Sequence, residues 1–129
     1  MSTFELCCQY LGISTELPKC EVDQKQFQAA YKLRVCMKAW NKQDGFEPDE
    51  RANCLQTQGG YAPYLYIDEG KVQPAHFASS GAVSGVIRIN ADPGGAFSTS
   101  NFGIRIVLST EKQAVAFSRV FIDIFNELI

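Results

Sequence analysis

Apolar and polar positions follow a helical period at both ends of this chain and a strand period in the middle. At the C-terminal end Ala114, Phe117, Ser118, Phe121, Ile124, Phe125 and Leu128 recur at steps of three and four, which places them on one helical face. Thr110 stands where an N-cap belongs, and Gln113 is placed to close a capping box. Residues 103–109 before it alternate like a strand. The pattern predicts a strand feeding an amphipathic helix that runs to Ile129 and leaves no disordered tail. At the other end, Ser2-Thr3-Phe4-Glu5 is a second capping-box pattern with Ser2 as N-cap. The helix it opens covers about residues 3–11, carries Phe4, Leu6, Cys7, Tyr10 and Leu11, and has Gly12 at C′. Pro18 excludes a continuous helix through the connector that follows. Asp23, with Gln26 completing another box, opens a second helix that runs to about Trp40 or Asn41. Ala29, Leu33, Cys36 and Trp40 form its main stripe. Phe27, Tyr31 and Val35 form a flank, and Lys32, Arg34 and Lys38 fall mostly outside the apolar face. Asp44-Gly45 ends the element.

The middle of the chain changes period. Residues 46–60 read as a polar loop with room for a helical turn after Pro48. Residues 61–67 are aromatic and β-prone, and Pro63 confines them to an edge or a bulge. Asp68-Glu69-Gly70 is a turn, after which 72–77 return as a second strand. Residues 83–90 form a better strand, with Ile87 and Ile89 on one face and Arg88 on the other. Asp92-Pro93-Gly94-Gly95 is a turn into the last strand or pair of strands, 96–108. The expected fold class is α+β. The N-terminal helices and the C-terminal helix pack on one face of a mostly antiparallel sheet of about three to five strands.

Composition narrows the function more than the fold. The 129 residues fit a single globular domain, 1–129. Hydrophobic content of 46% and charged content of 20% are ordinary for a folded domain. A formal net charge of −2 without a Lys/Arg run argues against nonspecific nucleic-acid binding. No apolar stretch reaches the ~20 residues that span a bilayer, so no membrane partner is expected. The N-terminus lacks the basic and apolar regions of a signal peptide. With five cysteines, Cys7, Cys8, Cys20, Cys36 and Cys54, and no signal peptide, the expectation is reduced thiols in a cytoplasmic setting.

No motif for catalysis stands out. His76 is the single histidine; Ser79 and Ser80 follow it, but no nucleophile elbow surrounds them, and a surface histidine is the simpler reading. The cysteines lack a C-x-x-C pair and read as buried thiols rather than zinc ligands. Asp44, Glu47, Asp49 and Glu50 cluster without the EF-hand order and read as a solvated loop. Gly81, Gly85, Gly94 and Gly95 sit among small residues without a P-loop lysine. No catalytic residue, metal or cofactor is assigned. Arg88 and Arg105 say more, because each is flanked by isoleucines inside a strand. On neighbouring strands the two guanidiniums would converge on one anion; the competing reading is two solvent-facing arginines. Tyr61, Tyr64, Tyr66 and Phe77 lie along the same segment, a composition suited to recognition or to packing on the helices. The candidate ligand set is Arg88, Arg105, Tyr64, Tyr66 and His76. Val115, Ile122 and Ile129, at spacing seven off the main stripe, form a candidate oligomer interface or a face inserted between layers.

Three segments carry a resemblance. They are residues 11–18, Leu-Gly-Ile-Ser-Thr-Glu-Leu-Pro; residues 30–49, from Ala-Tyr-Lys-Leu through Ala-Trp-Asn-Lys to Gly-Phe-Glu-Pro-Asp; and residues 103–124, from Gly-Ile-Arg to Phe-Ile-Asp-Ile. In this order the chain resembles a group of short, uncharacterised proteins from bacteriophages and prophages of Bacteroides-type gut bacteria. The likeness covers the two ends. In the middle that group carries a Tyr-Tyr-Pro-Trp-Phe-like segment where this chain has Tyr61-Ala62-Pro63-Tyr64-Leu65. It has Gly-Ser-Arg-Leu-Cys-Phe where this chain has residues 103–108, so Arg105 matches its pattern. The group has no established activity to carry over. The Gly-Ile-Arg strand is also similar to the last strand of C-type-lectin-like domains, but the following helix does not fit that fold. The function expected from residues and resemblance together is a phage-encoded, non-enzymatic accessory protein. It would bind a host factor or sequester a small anionic, nucleotide-like ligand as counter-defence. The alternative is a structural or virion-associated protein that self-assembles through the C-terminal helix; a hydrolase using His76 ranks last.

Overall fold

A computed structural model of the chain describes residues 1–48, 60–80, 86–90 and 99–129, and for 79–80, 86–90 and 99–104 it describes the backbone. Helix α1 spans Phe4–Leu11. Its cap is Thr3, one residue past the expected Ser2, and the Thr3 hydroxyl accepts the Leu6 N–H at 3.1 Å. Gly12 closes the helix at φ 72°, a left-handed conformation that strains any side chain. Helix α2 spans Gln24–Gln43, slightly longer than the sequence pattern indicates. Asp23 precedes it at φ 53° but makes no side-chain cap. Glutamines do that tethering instead: Gln24 Oε1 accepts from the Cys20 N–H at 3.3 Å, and Gln28 Nε2 donates to the Pro18 carbonyl at 3.0 Å.

The α2 stripe is the core face, with Ala29, Leu33 and Cys36 fully buried. Its expected flank splits. Val35 is buried, but Phe27 is 57% exposed and Tyr31 36% exposed. The reason is the neighbour: α1 lies along α2 in the same direction. Phe4 meets Tyr31 edge-on at 6.3 Å, and Tyr10 lies under Lys42. A helix of eight residues is too short to cover the first turn of α2, where Phe27 sits.

Among the described residues six strands follow: β1 (Tyr61–Pro63), β2 (Leu65–Asp68), β3 (Lys71–Gln73), β4 (Ala78–Ser80), β5 (Val86–Asn90) and β6 (Thr99–Arg105). Tyr64, directly after Pro63, separates β1 from β2. The expected turn holds: Glu69 at φ 53° and Gly70 at φ 76° are consecutive left-handed residues, as a tight hairpin requires, and they set Asp68 opposite Lys71. The strand expected over 72–77 is cut short at Gln73, because Pro74 has no N–H to continue the ladder. The chain then crosses to β1, so the strands form two ladders. One is β1–β4, with Tyr61 opposite Ser80. The other has the order β3-β2-β5-β6, antiparallel except for the parallel pair β2–β5. Tyr61 and Leu108 exchange backbone hydrogen bonds at 3.0 and 2.8 Å and tie β1 to the chain leaving β6. The expected turn at 92–95 and most of the 46–60 loop lie outside the described residues.

Helices α3 (Glu111–Val120) and α4 (Ile122–Asn126) end the chain. Thr110 caps α3 as expected, accepting the Gln113 N–H at 3.1 Å. The return half of the box is not made. Gln113 Nε2 donates to Asp44 Oδ2 at 2.9 Å, and the Ser109 hydroxyl donates to the same oxygen at 2.7 Å. A carboxylate at the end of α2 therefore fastens the start of α3. The single C-terminal helix that the spacing predicts is broken at Phe121, whose ψ of 24° leaves the helical range. Phe117, Phe121 and Phe125 all reach the interior across that break. Phe117 lies 4.8 Å from Phe121 and 6.1 Å from Phe125, and Trp40 packs edge-on against Phe117 at 5.3 Å. With Leu33, Leu65, Ile106 and Leu108 these rings form the core. The chain is α+β, and among the described residues no helix is long and apolar enough to cross a membrane.

Candidate functional site

Strand β2 has two unlike sides, because successive side chains leave a strand in opposite directions. Leu65 is fully buried, and Ile67 packs against the core. Tyr64 and Tyr66 alternate with them and are half-buried. Each tyrosine meets a ring from the segment after β3. Tyr64 stacks on Phe77 with centroids 4.7 Å apart and planes 19° from parallel. Tyr66 stacks on His76 at 5.5 Å and 25°, and its hydroxyl is hydrogen-bonded to His76 Nε2 at 3.0 Å. The Tyr64 N–H donates to the Phe77 carbonyl at 3.1 Å, so backbone as well as rings holds the two segments together. His76 is exposed and Phe77 is 50% exposed. The pairs therefore form a surface rather than a second core.

The C-terminal helices position this surface. The Ala75 N–H donates to Ser118 Oγ at 2.9 Å, and that hydroxyl donates in turn to the Val115 carbonyl at 2.7 Å. The Val72 N–H donates to Asn126 Oδ1 at 2.8 Å, while Asn126 Nδ2 donates to the carbonyls of Val72 at 3.1 Å and Ile122 at 3.0 Å. Two helical side chains thus take the backbone hydrogen bonds of residues 72 and 75. They fix the stretch that presents His76 and Phe77. Ser118 lies on the apolar stripe that the helical spacing predicts, and Asn126 lies beside that stripe. The available signal was a polar residue inside an otherwise buried stripe, which calls for a partner.

The two arginines lie on neighbouring strands. Arg88 pairs with Asn101, and Arg105 pairs with Val86 across an irregularity in the register. Strand β5 also runs beside β2, with Leu65 next to Ile89 and Tyr66 next to Asn90. The strand of Arg88 therefore lies between the aromatic pairs and the strand of Arg105. Arg105 is half-buried, and its carbonyl accepts from Arg34 Nη1 at 2.8 Å. The side chain of Arg88 lies outside the described residues, as do Gly81, Gly85, Gly94, Gly95 and Cys54.

The remaining candidates separate from this surface. No family model matches this chain, and no curated protein or solved structure matches it. Among the described residues, Tyr66 is the partner shown for the His76 ring. Val115 and Ile122 are half-buried, with Ile122 packed against the core, and Ile129 is 42% exposed. Asp44 is engaged by Ser109 and Gln113, while Asp49 and Glu50 lie outside the described residues. Cys7, Cys8 and Cys36 are buried free thiols and Cys20 is a half-buried one. A hydrogen bond from Cys36 lowers the Cys7 thiol from its usual range. The same contact pushes Cys36 far up, and burial raises Cys8. Cys36 and Cys8 are thereby held as neutral, unreactive thiols.

Proposed function

We propose that this chain is a non-enzymatic, phage-encoded accessory protein that binds a host factor or sequesters a small anionic, nucleotide-like ligand. In this reading the helices cover one face of a mostly antiparallel sheet, and the other face receives the ligand. One observation carries the proposal: the Tyr64–Phe77 and Tyr66–His76 stacks adjoin each other on partly exposed positions beside the strand of Arg88. Stacked rings offer a planar ligand a π surface, to which single bases typically bind with about 1–3 kcal/mol. Guanidiniums recognise phosphate or carboxylate in a bidentate way. A nucleotide presents both groups in one small molecule.

The test is a calorimetric titration of the protein with a panel of nucleoside mono- and diphosphates, beside native mass spectrometry of protein purified gently from its host. Saturable binding that falls on Tyr66→Ala and on the double change Arg88→Ala, Arg105→Ala supports the proposal. A double variant that folds and binds unchanged removes its anionic-ligand part. The second reading, self-assembly through the C-terminal helices, draws on Val120 at 41% and Ile129 at 42% exposure. It predicts an oligomer that Ile129→Glu dissociates. Ile122→Glu is the poorer probe, since Ile122 packs against the core.

A further inference from the structure

Six of the nine large apolar side chains that stay open to water among the described residues lie between residues 6 and 31: Leu6, Tyr10, Ile13, Val22, Phe27 and Tyr31. Exposed apolar groups gathered in one part of a folded domain mark a contact surface. The centre of this one is on α2. Phe27, Tyr31 and Lys38 follow at steps of four and seven, so they share one face of the helix. Phe27 is 57% exposed, Tyr31 is 36% exposed, and Lys38 is exposed. Helix α1 borders this face: Phe4 meets Tyr31 edge-on, and Tyr10 lies under the Lys42 ammonium. At the N-terminal end of α2 stand two exposed carboxylates, Glu21 and Asp23. Asp23 occupies the N-cap but makes no side-chain cap, so its own helix does not engage its carboxylate. Along α2 the exposed groups therefore run acid, aromatic, base.

We propose that this face is the contact between two copies of the chain, packed antiparallel about a two-fold axis at the level of Phe27 and Tyr31. The order of charges selects the occupant. A copy turned end for end brings its Lys38 to Glu21 and Asp23 of the first, and the first returns the same contact, so the surface complements itself. A copy packed in the same direction would set like charge against like. The lengths agree. At about 1.5 Å of rise per residue, Lys38 lies about 13 Å beyond the midpoint of Phe27 and Tyr31, and Asp23 about 9 Å before it. The four-carbon stem of the lysine spans the difference. At the centre, Phe27 and Tyr31 of each copy cover those of the other, as aromatic residues do in the cores of interfaces. Helix α1 is too short to cover Phe27 within the chain, and the second copy supplies the missing neighbour. The contact uses neither the aromatic face of β2 nor the C-terminal helices, so it is independent of both readings above.

The test is sedimentation equilibrium of the full chain from about 10 μM to about 1 mM, the range of a weak dimer. The proposal expects a monomer–dimer equilibrium that weakens as salt rises, since surface charge pairs are screened. Phe27→Glu should weaken it at least ~30-fold with an unchanged circular dichroism spectrum, because both copies lose a ring and gain a charge at the centre. Charge exchange decides the direction of packing. Lys38→Glu should weaken the dimer ~5-fold, and Glu21→Lys combined with Asp23→Asn should do the same. Asparagine at position 23 keeps the left-handed backbone there, at φ 53°. Mixed in equal amounts, these two variants should associate more tightly than either does alone, since only the mixed pair sets opposite charges together at both contacts. Ile129→Glu should leave the dimer intact, which separates this face from the C-terminal helices. If Phe27→Glu fails to fold, the charge variants, all at exposed positions, decide. A monomer throughout that range overturns the proposal. So does a dimer that a folded Phe27→Glu variant leaves unchanged, or a mixture of charge variants that associates no better than its components.

Discussion

The two sides of the β2–β3 hairpin divide the molecule's chemistry. On the inner side Leu65 and Val72 are buried to 2% exposure or less, and Asn126 clasps the backbone of Val72 from α4. On the outer side Tyr64, Tyr66, His76 and Phe77 are paired with one another and remain partly open to water. The difference teaches where substitutions should register. Inner groups are held by burial and by hydrogen bonds shielded from water, so their loss should appear in the folding equilibrium. Outer groups contribute little to folding, so their loss should appear in binding.

The strongest way to break that contrast is through the ring that organises the inner side. Phe117 is fully buried and touches Trp40, Phe121 and Phe125. Phe117→Ala should cost about 3–5 kcal/mol in urea unfolding. A loss below about 1 kcal/mol would show that the three-phenylalanine cluster is not the centre of the core. Next comes Asn126→Ala, which leaves the Val72 N–H and two carbonyls without their partner. The cost should be about 1–3 kcal/mol. Because the same clasp positions the stretch leading to His76, the His76 ring resonances should shift as well. Unchanged His76 resonances would mean that the helices do not set the outer face. Ser118→Ala should act in the same direction with a smaller effect, about 1 kcal/mol, since one buried N–H, that of Ala75, loses its acceptor.

The contrast also explains what was legible in the sequence. Helix existence was plain from spacing: Ala29, Leu33 and Cys36, and later Ala114, Phe117 and Phe125, are buried where the period puts them. Local punctuation was legible too, at Gly12, at Asp44-Gly45 and at the Glu69-Gly70 turn. What the period does not carry is the partner of each face. Phe27 has the right spacing for a core but no neighbour to cover it. The C-terminal stripe continues past Phe121, although the helix itself breaks there. Gln113 fits a capping box, yet Asp44 is distant in sequence and its carboxylate is the partner that the side chain takes. The aromatic residues were visible as a composition, but their pairing was not. It depends on the chain crossing from β3 to β4 and laying His76 and Phe77 against Tyr66 and Tyr64. Asn41 was hidden for a similar reason: it reads as a helix-ending residue until Val107, from the far end of the chain, claims one half of its amide.

The finest cut through the comparison is Tyr66→Phe, which removes one oxygen from the outer face. The ring stack on His76 at 5.5 Å is kept, and only the hydroxyl contact to Nε2 at 3.0 Å is lost. His76 is exposed, so water can replace the hydroxyl at Nε2, and the net cost to folding should stay within about 0.5 kcal/mol. The local consequence is larger than the global one. While the hydroxyl is present it biases which imidazole nitrogen carries the proton; without it, both nitrogens answer to solvent. Nitrogen-15 spectra of the imidazole should therefore change in tautomer ratio while the unfolding midpoint stays put. Ligand affinity should fall if the hydroxyl or the oriented imidazole contributes to recognition. A drop in stability comparable to that of Asn126→Ala would place Tyr66 on the inner side energetically, and the division between a face that folds and a face that binds would fail at its most exposed pair.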